Sequence, residues 1–187
     1  MCSSDLIPET VKEIGAGTFE ACTDLTDVEL PSTAKQLEQG VFDGCTSLQR
    51  VKMDSVNSIE MNAFRNCLSL TNLVLPESVK KIEVDAFKGC KNLERAYLPA
   101  AVIGYPQDAY VGYLNIFSNT SPNLLVYVVK GSDGEKYAAA MNKLTGIKFK
   151  TIDNRNDLDT VHDGDFHLID MGKKVKLGNL TDRKSVV

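Results

Sequence analysis

The chain predicts a solenoid, α/β-type or mainly β, with one parallel strand per ~23-residue repeat and a strand-helix-strand cap at its C-terminal end. Three observations lead there. A block of about twenty-three residues is written four times in register. Each copy closes on a short strand-like alternation of apolar and polar residues. After the last copy, an alanine-rich helical stretch lies between two apolar runs.

The copies begin at Ile7, Leu30, Met53 and Leu75 and fill residues 7–98. Four columns recur. One holds Ile14, Leu37, Ile59 and Ile82, and a second Phe19, Phe42, Phe64 and Phe87. A third holds Cys22, Cys45, Cys67 and Cys90, and a fourth Leu25, Leu48, Leu70 and Leu93. Self-similarity at a fixed period means that each copy covers the apolar face of its neighbour. These sixteen residues are therefore the expected repeat core.

The strands are expected where the leucine column leads into alternation: Leu25-x-x-Val28-x-Leu30, Leu48-x-x-Val51-x-Met53, Leu70-x-x-Leu73-x-Leu75 and Leu93-x-x-Ala96-x-Leu98. Pro31, Pro76 and Pro99 follow three of these segments, and a residue without an N–H stops a strand. Stacked in parallel, successive strands lie ~4.8 Å apart. The stretch from Val11 through Phe19 and its equivalents return the chain on the other side. Burying each inward side chain contributes roughly 1.5–3 kcal/mol before entropy is subtracted, so one copy cannot fold alone and four can.

The shared pattern, roughly LP-x-x-V-x-x-I-x-x-x-A-F-x-x-C-x-x-L-x-x-V-x, resembles the BspA-like class of leucine-rich repeat found in bacterial surface proteins. The resemblance covers 7–98 closely and 99–152 as a degenerate fifth copy with its cap. Departures are mild: Thr18 and Val41 stand where the pattern has Ala, and Met53-Asp54 replaces Leu-Pro in a copy one residue shorter. The resemblance implies a leucine-rich repeat stack, a secreted or cell-surface location, and a non-enzymatic binding or adhesive role without a cofactor. It also implies a Tyr-bearing helix at the end of the array.

Leu98-Pro99 opens the fifth copy, which Gly104-Tyr105-Pro106 and the aromatic stretch from Tyr110 to Tyr113 then interrupt. Ile116-Phe117 takes the Ala-Phe position, and 124–129 is the strand, with Tyr127 inside it. Gly131-Ser132-Asp133-Gly134 turns into a helix with Ser132 or Asp133 as its cap, Tyr137 to Met141 as its body and Gly146 as its stop. Residues 147–152 form a last strand. Residues 153–165 are acidic and polar without an apolar period and read as a linker. Asp157, Asp159, Asp163 and Asp165 offer hard oxygen donors for calcium, but the EF-hand spacing, its mid-loop glycine and its closing Glu are missing. Residues 166–181 alternate around a Gly-Lys-Lys turn, as the first hairpin of a truncated second domain does.

The outermost residues, 1–6 (MCSSDL) and 182–187 (DRKSVV), fit nothing around them. Both read as translated sequencing-adapter DNA, the alternative being two ordinary termini. On the adapter reading the protein runs past both ends, Cys2 does not count among the cysteines, and structure at either end is incidental.

Formal charge is −4, from 21 basic and 25 acidic residues, and removing both ends leaves it there. No basic excess points to nucleic acid. No run approaches the ~20 apolar residues of a spanning helix. Separations of 23, 22 and 23 put one repeat cysteine on each rung, all aimed the same way. A column cannot converge on zinc. Neighbouring rungs approach disulfide distance, but parallel side chains are poorly aimed for it. Buried free thiols acting as small hydrophobes are the favoured reading, with disulfide and metal behind it.

No nucleophile set can be argued from His162 and His167, and phosphate-binding glycine motifs are missing. Glu9 and Glu13 fall on outer turns, and Asn119 and Asn179 begin N-x-S/T triplets. The better functional candidates are the outward positions of the strands, in two columns: Asp27, Arg50, Asn72 and Arg95; and Glu29, Lys52, Val74 and Tyr97. Arg and Tyr are enriched at binding hot spots. An insertion in a solenoid also maps to one face, which makes Tyr105, Tyr110 and Tyr113 further candidates. The expected partner is an extracellular protein or glycan, with no nucleic acid. A structural spacer carrying another domain is the competing expectation.

Overall fold

A computed structural model describes residues 5–102 and 115–160, with the backbone alone at 5, 6, 159 and 160. Two rows of short parallel strands run up the stack. The first row is β1 (Asp5–Leu6), β2 (Asp27–Glu29) and β4 (Arg50–Lys52), then β6 (Asn72–Val74), β8 (Arg95–Tyr97), β9 (Leu125–Val129) and β10 (Lys148–Ile152). The second is β3 (Gln36–Leu37), β5 (Ser58–Ile59) and β7 (Lys81–Ile82). Register follows the repeat: Asp27 lies opposite Arg50, Val28 opposite Val51, and Asn72 opposite Arg95. The first row divides between β4 and β6, where the copy that lacks one residue stands. Asp5–Leu6 pairs with Val28–Glu29 through main-chain bonds, which do not depend on side-chain identity.

Between the rows lies one core. Leu25, Leu48, Leu70, Leu93 and Leu124 are all buried, as are Ile14, Leu37, Ile59 and Ile82. The phenylalanines form a continuous stack. Phe19, Phe42, Phe64, Phe87 and Phe117 follow one another at centroid separations of 5.4, 5.4, 5.2 and 5.5 Å. Phe117 thus takes the place expected of it in the fifth copy. Phe19 has a ring on one side only and stays half-buried.

Each of the first four rungs turns twice through the left-handed backbone region, a feature the repeat alignment did not single out. The residue before the repeat cysteine, or its equivalent, has positive φ in every copy: Ala21, Gly44, Asn66, Gly89 and Asn119. Gly and Asn tolerate that conformation and Ala does not, so Ala21 is the strained member. At Gly89 space is short as well, because an added Cβ would stand 2.3 Å from Asn66 Oδ1.

The cysteine column behaves as a set of buried free thiols at Cys45, Cys67 and Cys90. Their Sγ atoms donate to the carbonyls of Phe19, Phe42 and Phe64, one rung back, at 3.0, 3.3 and 3.1 Å. Burial pushes the Cys45 thiol up to about 11. Cys22 corrects the expectation for the first copy: it is disulfide-bonded, not a free thiol. It sits on a poorly covered rung, half-buried beside half-buried Phe19.

The cap is built as expected from β9, α1 (Asp133–Thr145) and β10. Ser132 is the N-cap, its Oγ accepting from Glu135 N at 3.1 Å. Glu135 reaches back to accept from Gly131 N, and Gly146 closes the helix at φ 77°. Tyr137, Ala138 and Met141 face the core. At Gly134 an added Cβ would meet Pro99 O at 2.7 Å, so the helix start is pressed against the fifth copy.

After β10 the structure departs from the expected linker. Arg155–Thr160 is a 3-10 turn, and Leu158 within it is buried. Polar composition concealed it, because a single leucine supplies no apolar period. Tyr105, Tyr110 and Tyr113, both histidines, Asp163, Asp165 and the expected hairpin at 166–181 lie outside the described residues.

Candidate binding face

The first strand row has an inner side, carrying Val28, Val51, Leu73, Ala96 and Val126, and an outer side carrying the candidate columns. Alternation along each strand places Asp27 and Glu29, Arg50 and Lys52, Asn72 and Val74, and Arg95 and Tyr97 outward, as expected. What covers them differs along the stack.

Over the first two copies the face is open. Arg50 Nε donates to Asp27 Oδ1, and Lys52 Nζ to Glu29 Oε1, each across one parallel strand pair. The Arg50 and Glu29 side chains remain 61% and 46% exposed. Partial burial of Asp27 works against its charge, yet hydrogen bonds from Arg50 and Thr26 hold its carboxyl below the usual range. The bond to Glu29 raises the Lys52 ammonium above its ordinary value. Asn72 and Arg95 are half-buried, Arg95 Nη1 donating to Glu94 O at 3.0 Å.

Val74 and Tyr97 require a correction: expected in solvent, they are 2% and 0% exposed. They form a second, smaller apolar cluster on the outer side of the sheet with Tyr127, Ile152 and Leu158, flanked by Leu125 and Val129. The 3-10 turn supplies the cover. Leu158 packs into the cluster, and Arg155 Cζ stands 5.9 Å from the centroid of the Tyr97 ring. Glu77 anchors the edge: Tyr97 OH donates to its Oε1, Ala100 N to its Oε2 at 3.3 Å, and Arg155 Nε lies 3.6 Å from Oε1. Burial, with Glu77 beside it, drives the Tyr97 phenol strongly upward. The sequence carried a signal for this that the alternation reading passed over. Val74, Tyr97 and Tyr127 are apolar in a column whose earlier members are Glu29 and Lys52, and apolar residues on an outward column require a cover.

Elsewhere carboxylates tie rungs together. Glu9 accepts from Ser32 N and Oγ, which lowers its carboxyl, and Glu77 repeats the bond three copies on through Ala100 N. Asp157 accepts from Asn154 N and Nδ2 at 2.9 and 3.1 Å, so it closes the turn it belongs to. Among the described residues, no three or more His, Cys, Asp or Glu side chains gather as a metal-binding group. No helix among them is long and apolar enough to cross a membrane.

A family model described as BspA type leucine rich repeat region (6 copies) matches residues 3–121, more than half of the chain. Solved structures agree. A leucine-rich cell surface protein from Faecalibacterium prausnitzii is similar at 27% identity and TM-score 0.60, over 75% of this chain and 34% of its own. The pneumococcal vaccine antigen PcpA shares the fold at 19% identity and TM-score 0.59, over 80% of this chain and 41% of its own. A leucine-rich repeat protein from Bacteroides ovatus shares it at 22% identity and TM-score 0.51, over 67% and 39%. The chain therefore spans well under half the length of each of these three proteins. No curated protein matches it.

Proposed function

We propose that this chain, which belongs to the BspA-type leucine-rich repeat family, is a non-enzymatic binding module of a bacterial secreted or surface-attached protein. It recognises a protein or a glycan through the outer strand face of its first two copies. One observation carries the reading. Asp27, Glu29, Arg50 and Lys52 stand open on a backbone fixed by its ladder, while Val74, Tyr97 and Tyr127 further along that face are covered by the chain itself. A rigid scaffold that holds charged side chains in register needs no ordering on binding, which lowers the cost of association. Arg50 is its strongest anchor, as an exposed guanidinium with a carboxylate at its side.

The test is saturable binding of the full chain to a panel of extracellular-matrix proteins and glycans. Arg50→Ala with Lys52→Ala abolishes the binding while leaving the circular dichroism spectrum unchanged. No saturable binding to any member of the panel favours the spacer. The greater length of the similar proteins, which leaves room for domains that a repeat stack would hold at a distance, supports that second reading.

A further inference from the structure

The covered part of the sheet face is built from residues that lie outside its cover. Val74, Tyr97 and Tyr127 come from three neighbouring repeat strands, β6, β8 and β9, and the bond from Tyr97 OH to Glu77 fixes the ring edge. None of these residues belongs to the 3-10 turn. The turn, in contrast, is closed on itself. Asn154 N and Nδ2 donate to the Asp157 carboxylate, Asp157 N donates to Asn154 O at 3.1 Å, and Asn156 N donates to Asn154 Oδ1 at 2.9 Å. Two of its side chains meet the platform: Leu158 in the apolar cluster, and Arg155 over the Tyr97 ring and beside Glu77. An aromatic face with a carboxylate at its edge suits a guanidinium, and the apolar floor beside it suits a leucine.

We propose that the outer face of β6, β8 and β9 is a docking site for a short peptide carrying an arginine three residues ahead of a leucine, and that residues 155–158 are its resident, displaceable occupant. The site is separate from the open charged face of the first two copies. A partner segment with the same two anchors competes with the tethered one. That tethered segment acts at an effective concentration on the order of millimolar, so displacing it costs a partner affinity and not fold.

The test uses the full chain with Leu158→Asp, ¹⁵N-labelled, titrated with the synthetic peptide DNRNDLDT, which reproduces residues 153–160. The expected result is saturable amide shifts confined to the surroundings of Val74, Tyr97 and Tyr127. The wild-type chain responds at least about tenfold more weakly, because its own segment competes. A peptide with aspartate in place of the leucine shifts nothing. Three results overturn the proposal: no shifts in the folded variant, equal shifts in variant and wild type, or shifts that survive loss of the peptide's leucine. If Leu158→Asp loses its dispersed spectrum, Leu158→Ala takes its place. A Leu158→Ala chain that also fails to fold makes the segment a core element and overturns the idea of a displaceable occupant.

Discussion

Glu29, Lys52, Val74, Tyr97 and Tyr127 occupy equivalent positions on successive strands of one row, yet the first two are open to solvent and the last three are buried. Strand pairing does not by itself make this difference, since the strands on both sides of the break run parallel in the repeat's register. Side-chain chemistry and a six-residue turn far along the chain make it. Charged pairs leave the early half soluble without a cover, while two tyrosines and a valine leave the later half in need of one. Strand alternation therefore determines which way a residue points. It does not determine what it meets there.

The sharpest way to break the comparison is to truncate the same column in both halves. Tyr97→Ala removes a buried ring and costs roughly 3–5 kcal/mol, whereas Lys52→Ala changes stability by under about 0.5 kcal/mol. Urea unfolding of the two variants measures both. Similar losses would mean that the two halves do not differ as their burial requires.

The same contrast explains what the sequence made legible. Phe42, Cys45, Leu48 and their equivalents are read from recurrence, because a solenoid repeats its core rung by rung and nothing distant alters it. The helix cap was legible for a similar reason, with Ser132 and Gly146 acting over a few residues. Exposure of the outer face is a different kind of quantity. It depends on Leu158, which lies 61 positions beyond Tyr97 in a segment whose composition reads as solvated. The disulfide at Cys22 was hidden likewise, since four in-register cysteines suggested one environment and the first of them is on a half-covered rung.

A smaller effect is expected in the cysteine column. Cys45→Ser places a hydroxyl with a shorter bond where a thiol donates to Phe19 O, and costs about 1–2 kcal/mol without altering any binding. The thiol also sets a pH dependence. Its folded value of about 11 exceeds the ~8.5 of an unfolded cysteine, so the native state holds the proton more tightly. That stability is fully present below about pH 8.5 and is lost as pH rises through 11. Urea midpoints should hold steady between about pH 7 and 8 and fall between about pH 9 and 11, less steeply in Cys45→Ser. An unchanged slope in the variant would assign the alkaline loss to other groups, such as the buried phenols of Tyr97 and Tyr137, both also shifted upward.

The smallest expected effect decides how the open half can work. Asp27 and Arg50 face each other on adjacent strands, and an exposed cross-strand pair of this kind is worth about 0.2–1 kcal/mol. A double-mutant cycle over Asp27→Ala and Arg50→Ala should give a coupling in that range, shrinking as salt rises to about 1 M because the pair is screened. The value bears on binding as well as on stability. A weak coupling leaves the guanidinium free to exchange Asp27 for a partner's carboxylate at little cost, so the early half presents charges already held in register. A coupling that exceeds 1 kcal/mol and resists salt would mean that the pair satisfies itself. A partner would then have to break it, and the open face would resemble a solvated spacer surface more than a recognition surface.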